Sequence, residues 1–241
     1  MILEGNVSVK AAILAGRRKV NRLIVDEAST NKDTAWIVHR AIERNIPVEK
    51  RPRNEIDALA SGRTHGGLLC ECEERVFQKE EDCIQKENTF IALIEGVEDP
   101  FNLGYIARSL YSAGCTGLFL RTRNWEGVEP TIIRSSAGAF EYMNVVMCDD
   151  LAESLRNVKK AGVFTYAAMR KDAVAYTDAD YRGNVLIAIG GEMRGLSSAV
   201  RKEIEQNIYI PYANDFRMAL NAAGAAAVLG FEVLRQRNNC L

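Results

Sequence analysis

Apolar and polar positions fall into two textures along this chain. Over roughly the first 77 residues, short mixed segments alternate. "VSVKAAILAGRRKV" has the spacing of an amphipathic helix with Gly16 near its end, and "RLIVD" follows as a short strand. Helical spacing returns from Asp33 to Asn45, with Trp36, Ile37, Ala41 and Ile42 expected on a buried face. "IPVEKR" suits a strand, "RNEIDALAS" a short helix ended by Gly62, and "THGGLLCEC" a turn into a strand. This β-α-β-α-β order predicts a small α/β domain over residues 1–77. Residues 78–88, "QKEEDCIQKEN", are rich in charge and poor in apolar side chains, which predicts a linker. From residue 89 the strands become near-continuous apolar runs: "TFIALIEGV", "TGLFL", "MNVVM", "GVFTYAAM", "NVLIAIGG" and "NIYIP". Helical patterns separate several of them. Strands buried on both faces and alternating with helices predict a largely parallel α/β sheet over 89–241.

Composition adds little to this picture. The 241 residues are 47% hydrophobic and 26% charged, ordinary values for a soluble globular protein. No apolar run has membrane-spanning length, so no membrane partner is expected. The first residues lack a basic segment followed by an apolar one, so a cytoplasmic protein is expected. Cysteines stand at 70, 72, 83, 115, 148 and 240 without a CxxC pair or a neighbouring His, which predicts reduced thiols and no metal.

Charge is more informative in its distribution than in its sum. The formal net charge is −1, but residues 1–63 carry 12 Lys/Arg against 8 Asp/Glu. A basic N-terminal part suits phosphates, and equally suits a solvated surface with chance asymmetry. Arg17, Arg18 and Lys19 are its densest cluster.

Three stretches carry candidate chemistry. In "EDPFNLGYIARSLYSAG", Asn102 sits at a strand-to-helix turn, a good N-cap position. Arg108 lies one and a half turns further on, and reads either as a site-edge or partner-facing cation or as a surface Arg. In "IAIGGEMRGLSSAV", Gly190 and Gly191 follow an apolar strand and permit close backbone approach. The Lys-Ser/Thr ending of a phosphate-cradling loop is absent. Glu192 falls where ligands of open α/β sheets gather, beyond a strand's carboxyl end, and equally suits a solvated carboxylate after a pair of turn glycines. In "IPYANDFRMALNAAGAAAVLGFEVL", a polar loop separates a strand from an Ala-rich helix, and Asn221 in that helix's first turn needs a partner.

Together these stretches resemble the SpoU branch of the SPOUT RNA methyltransferases, the TrmH-like family. Its first motif is matched by Asn102, Gly104 and Arg108 in "NLGYIAR", and its second by Gly190, Glu192, Gly195 and Leu196 in "GGEMRGL". Its third is matched by Ile210, Pro211, Leu220 and Asn221, and "SSAGAF" also resembles a family segment. "EGNVSVKAAI" and "RTHGGLL" resemble the substrate-binding domain that often precedes it, through Gly5, Thr64, His65 and Gly67. Read alone, His65 beside glycines is a capped turn residue.

The resemblance implies a small RNA-binding α/β domain followed by a knotted methyltransferase domain. The C-terminal segment would thread a deep trefoil knot, an exception to un-knotted folding. S-adenosylmethionine would bind at backbone groups of Gly190, Ile210 and Leu220, without a metal. The helix after Asn221 would help form a homodimer. RNA, ribosomal or transfer, would meet Arg17, Arg18, Lys19 and His65. The implied reaction is methylation of a ribose 2′-hydroxyl, with Arg108 holding ribose or phosphate as a bidentate charge partner. A guanidinium keeps its proton far above neutral pH, so a base role for Arg108 would need strong perturbation. Asn102 would fix the Arg loop, and Glu192 and Asn221 would order the knot. The chain departs from the pattern at Ala219, where Ser is usual, and in a loop before Leu220 that is one residue longer. Met218, Arg217 or Asp215 would reshape that part. These departures motivate a second reading, a non-catalytic knotted RNA-binding or assembly protein. A third is methylation of a base.

Overall fold

A computed structural model describes residues 1–125, 127–215 and 218–238. Along the chain run β1 (Ile2–Glu4), α1 (Gly5–Ala15), β2 (Val20–Asp26), α2 (Lys32–Glu43), β3 (Val48–Arg51), α3 (Arg53–Leu59) and β4 (Leu68–Cys72). After a 3-10 turn at Glu80–Cys83 come β5 (Phe90–Glu95), α4 (Pro100–Ser112), β6 (Gly117–Arg121), α5 (Glu129–Ser135), α6 (Ala139–Tyr142), β7 (Val145–Cys148) and α7 (Leu151–Lys160). The rest is β8 (Phe164–Ala168), β9 (Ala173–Ala175), β10 (Val185–Gly190), α8 (Ser198–Glu203), β11 (Gln206–Tyr209) and α9 (Ala222–Asn238). Two units result. The first takes in Met1–Val76 together with α5 and α6, and the second the remaining described residues. No described helix is long and apolar enough to cross a membrane.

In the first unit a four-stranded sheet has the order β1-β4-β2-β3, with β2 and β3 parallel and β4 antiparallel to both neighbours. Gly16 closes α1 in the left-handed region at φ 64°. On α2 the buried stripe is Thr34, Ile37 and Ala41. Trp36 and Ile42, expected beside them, are 39% and 59% exposed. A 34/37/41 spacing follows one helix face, and Trp36 lies next to it with Lys10 and Arg40 over its ring.

Arg18 corrects the reading of Arg17–Lys19 as one RNA-facing cluster. Its side chain is fully buried. Nη2 donates to Glu129 Oε1 at 2.7 Å and to Glu141 Oε1 at 2.6 Å, and Nε to Glu141 Oε2 at 3.1 Å. Burial opposes the charge, but the bonds and field of Glu141, then of Glu129, outweigh it and raise the pKa. Arg75, also buried, donates to the Phe140 carbonyl at 2.6 Å, and burial pulls it down to about 10. Thus α5 and α6 are held in the first unit by guanidinium bonds. Only Lys19 of the triplet has a mainly exposed side chain, in a surface pair with Glu73 at 3.1 Å. His65 is likewise not a surface ligand. It is buried, its Nδ1 accepts from the Gly67 N–H at 3.3 Å, and its Nε2 lies 3.1 Å from Asp57 Oδ1.

The second unit is a seven-stranded, fully parallel sheet in the order β7-β6-β5-β10-β8-β11-β9. Every residue of β5 is buried, as the continuous apolar run predicts. Residues 78–88 are built into this unit rather than free. Gln78 N–H donates to Val145 O at 2.9 Å, and Cys83 is fully buried in the core. The buried Cys83 thiol, the packed Ile84 and bonds from Thr116 and Asn144 to the Cys83 and Asp82 carbonyls anchor a stretch whose other residues are mostly charged. Cys70, Cys72, Cys83, Cys115 and Cys148 are buried and in no disulfide among the described residues, and Cys240 lies outside them. The small residues of α9 let it lie close on α4. A Cβ at Gly230 would stand 3.2 Å from Leu110 Cδ2 and 3.3 Å from Ala113 Cβ.

Removing the Arg18 charge strands two carboxylates in the first unit. Arg18→Met is expected to lower stability by about 3–5 kcal/mol in chemical denaturation. Lys19→Ala, at a solvated pair, is expected to leave the transition in place.

Candidate active site

Parallel strands end together, and in an open α/β sheet their carboxyl ends leave a crevice. Here the second unit has two neighbouring cavities there. The smaller, about 240 Å³, is walled by the ends of β8, β10 and β11 (Ala168–Arg170, Ile189, Gly190 and Ile208–Ile210). Tyr212, Ala219, Leu220 and the α9 residues Ala222, Ala225 and Leu229 complete it. The larger, about 780 Å³, is lined by Glu95–Asp99, Asn102, Arg121, Gly191–Gly195 and Ser197. Ala222 borders both.

Local geometry explains the division. Gly191 N–H donates to Glu95 O at 2.7 Å, and Gly195 N–H to Gly191 O at 2.9 Å. This closes a tight loop with Glu192, Met193 and Arg194 at its tip. Gly195 turns it in the left-handed region at φ 61°. A Cβ at Gly190 would lie 2.5 Å from the Gly195 carbonyl carbon, and one at Gly191 would collide with the Gly96 carbonyl. The glycines therefore admit backbone, and the loop occupies the space beside Gly190. The buried Glu95 carboxylate accepts the Ser197 N–H at 2.7 Å and fixes the loop's far end.

Of the residues singled out in the sequence, Gly190, Ile210 and Leu220 meet around the smaller cavity. Ile210 lies one residue past β11, so its backbone is beyond the end of the ladder. Leu220 N–H already donates to the Tyr212 hydroxyl at 2.8 Å. Asn102 and Glu192 meet around the larger cavity. The N-cap of α4 is Asp99, whose Oδ2 accepts the Asn102 N–H at 2.8 Å, so Asn102 sits three residues inside the helix. Pro100 behind the cap sets this start. Asn221 is a cap: its Oδ1 accepts the Gly224 N–H at 2.7 Å and its carbonyl the Ala225 N–H at 3.0 Å. That answers why an Asn precedes an Ala-rich helix. Arg108 is exposed on α4 and lines neither cavity. Arg17, Arg18, Lys19 and His65 belong to the first unit. Arg217 lies outside the described residues.

Arg121, Arg194, Arg170 and Tyr212 line these cavities and were not read as site residues. Their signal was positional: Arg121 ends β6 and Arg170 lies just past β8, where apolar runs stop. Among the described residues no group of three or more His, Cys, Asp or Glu could hold a metal ion. Burial pushes the Cys115 thiol up to about 12 and Cys148 to about 11, so neither is a thiolate nucleophile at neutral pH.

Because Asn221 caps α9, Asn221→Ala is expected to cost about 1 kcal/mol of stability, and Asn221→Asp to retain most of it. Urea denaturation of the three proteins measures both.

The chain has counterparts among known proteins. Residues 89–231 match the model of the SpoU rRNA Methylase family, and residues 2–77 match that of RNA 2′-O ribose methyltransferase substrate binding. A Staphylococcus haemolyticus protein named as a TrmH family tRNA/rRNA methyltransferase is 27% identical across 99% of this chain and 96% of its own length. The fold is similar to that of the SpoU methyltransferase AviRb from Streptomyces viridochromogenes, solved in complex with AdoMet. There the TM-score is 0.82 at 21% identity, over 99% of this chain and 91% of that one. An rRNA methyltransferase from Sinorhizobium meliloti gives a TM-score of 0.80 at 23% identity, over 97% and 86%.

Proposed function

Because the chain belongs to the SpoU rRNA methylase family, we infer that it transfers a methyl group from S-adenosylmethionine to a ribose 2′-hydroxyl of ribosomal or transfer RNA in the cytoplasm. The observation that carries this reading is the pair of cavities sharing Ala222, one apolar and one edged by Asn102, Arg121, Glu192 and Arg194. The apolar one fits the methyl donor. Ala219, Ala222 and Ala225 line it with small side chains, and Ile210 offers backbone groups beyond the ladder. When bound, S-adenosylmethionine supplies an electrophilic methyl group on a sulfonium.

The chain's own residues then bind and orient. Arg121 and Arg194 draw an RNA phosphate toward the larger cavity. Alignment of the hydroxyl with the methyl group is the main catalytic contribution asked of the site. The match of residues 2–77 supports assigning 1–77 to RNA binding and 89–241 to catalysis, with Arg17 and Lys19 left as the basic surface of the triplet. The knot is part of the same reading. After β10 the chain passes to β11, on the far side of β8, and α9 then returns to lie on α4. A threaded C-terminus requires such a return.

Exposed aromatics on α4 and α9 support a homodimer. Phe101, Tyr105, Tyr111 and Phe231 are 43–50% exposed, an unusual set of aromatics for a solvated surface. Arg108 shares the α4 face with Phe101 and Tyr105 at helical spacing, so pairing through that face would bring it to the subunit interface. Light scattering at micromolar concentration is expected to give a dimer, and Phe231→Lys a monomer. A wild-type monomer counts against this assignment.

Labelled methyl transfer to total RNA from a strain lacking the gene tests the activity. Nuclease digestion and mass analysis are expected to give a 2′-O-methylated nucleoside, and a methylated base overturns the ribose assignment. Cofactor binding without transfer to any RNA favours the non-catalytic reading that Ala219 motivates. Arg108→Ala is expected to keep RNA association and lose transfer by about 100-fold, the scale of a misplaced reactant.

A further inference from the structure

The smaller cavity has one charged side chain among its described lining residues, Arg170. Arg170 follows β8 by two residues and is exposed. Its guanidinium carbon stands 4.5 Å from the centroid of the Tyr212 ring. Tyr212 is itself tied down, since its hydroxyl accepts the Leu220 N–H at 2.8 Å. A stacked guanidinium loses little freedom when it binds a carboxylate, because its planar fork is already oriented. Among the described residues Arg170 pairs with no carboxylate, so its guanidinium is open to one from a ligand.

S-adenosylmethionine carries one anionic group. Adenine and ribose are neutral, the sulfonium and the α-ammonium are positive, and the α-carboxylate alone is negative. An otherwise uncharged cavity can distinguish that end of the molecule only through a cation or a fixed dipole. We propose that Arg170, stacked on Tyr212, binds the α-carboxylate of the methyl donor and so sets which way the molecule lies between the ends of β8, β10 and β11. The assignment rests on the smaller cavity being the donor site. It gives that cavity a polarity: apolar walls take the adenosine, and the Arg170 edge takes the amino-acid portion.

Two ligands separate the parts. S-adenosylhomocysteine has adenosine and the α-carboxylate, whereas 5′-methylthioadenosine has adenosine and lacks the amino-acid portion. Calorimetry is run with both on the full-length protein and on Arg170→Met and Arg170→Lys. The expected result is that Arg170→Met weakens S-adenosylhomocysteine by about 10-fold to 100-fold, the range for a hydrogen bond to a charged group. Methylthioadenosine should change less than twofold, which also shows that the variant is folded. Arg170→Lys, with charge but no fork, should fall between. If Arg170→Met weakens both ligands equally, the side chain only supports the wall and the assignment is overturned. If it weakens neither, the carboxylate lies elsewhere and the assignment is again overturned. If the parent protein binds neither ligand, the donor-site reading of the cavity falls, and this inference with it.

Discussion

Backbone lying directly on backbone at the end of β10 is the constraint on which the rest of the second unit depends. Side chains are missing at Gly190 and Gly191, and main chain fills both places. The Gly195–Leu196 peptide lies against the first and the Gly96 carbonyl against the second. Only this contact lets the loop after β10 fold back over the strand ends with its own hydrogen bonds satisfied. The loop then divides one crevice into two cavities. The ordinary role given to such glycines is to let a ligand approach, and here they let the protein approach itself.

The Ala-rich character of α9 follows from similar crowding. Gly230 brings the helix against Leu110 and Ala113 of α4, while Ala222 faces both cavities from its first turn. A bulkier side chain at 222 would narrow both at once. The helix start is placed by the Asn221 cap, and Leu220 beside it is tied to Tyr212. Thus the polar loop, the cap and the cavity wall form one connected piece of structure.

Much of this was legible in the sequence where hydrophobic periodicity or a motif had a single physical meaning. The continuous apolar runs became the parallel sheet because strands buried on both faces leave no alternation. Gly190 and Ile210 meet because β10 and β11 flank β8 and end on the same side of the sheet, and Leu220 joins them through its bond to Tyr212. Charged and aromatic residues were less legible, since burial depends on partners far along the chain. Arg18 reads as surface beside Arg17 and Lys19, yet its carboxylates come from Glu129 and Glu141. Trp36 reads as core, yet cations on two helices cover it where it stands. The three-residue β1 is too short for a pattern. The membership of α5 and α6 in the first unit had no local signal, because guanidinium bonds from Arg18 and Arg75 determine it. Asn102 was displaced as a cap by Asp99 because Pro100 is better placed one position after the cap.

The separation of Arg18 from its partners has a consequence for synthesis. The residues that neutralise it lie 111 and 123 positions downstream. At ordinary translation rates of roughly 5–20 residues per second, Arg18 leaves the ribosome about 5–20 s before Glu129. During that interval β4, the strand that joins β1 to β2, is also made, while Arg18 carries an uncompensated guanidinium at a position that must become dry. Vectorial folding of the N-terminal segment is therefore incomplete by construction. Its last step waits for a peptide encoded between β6 and β7, after two strands of the second sheet have already emerged.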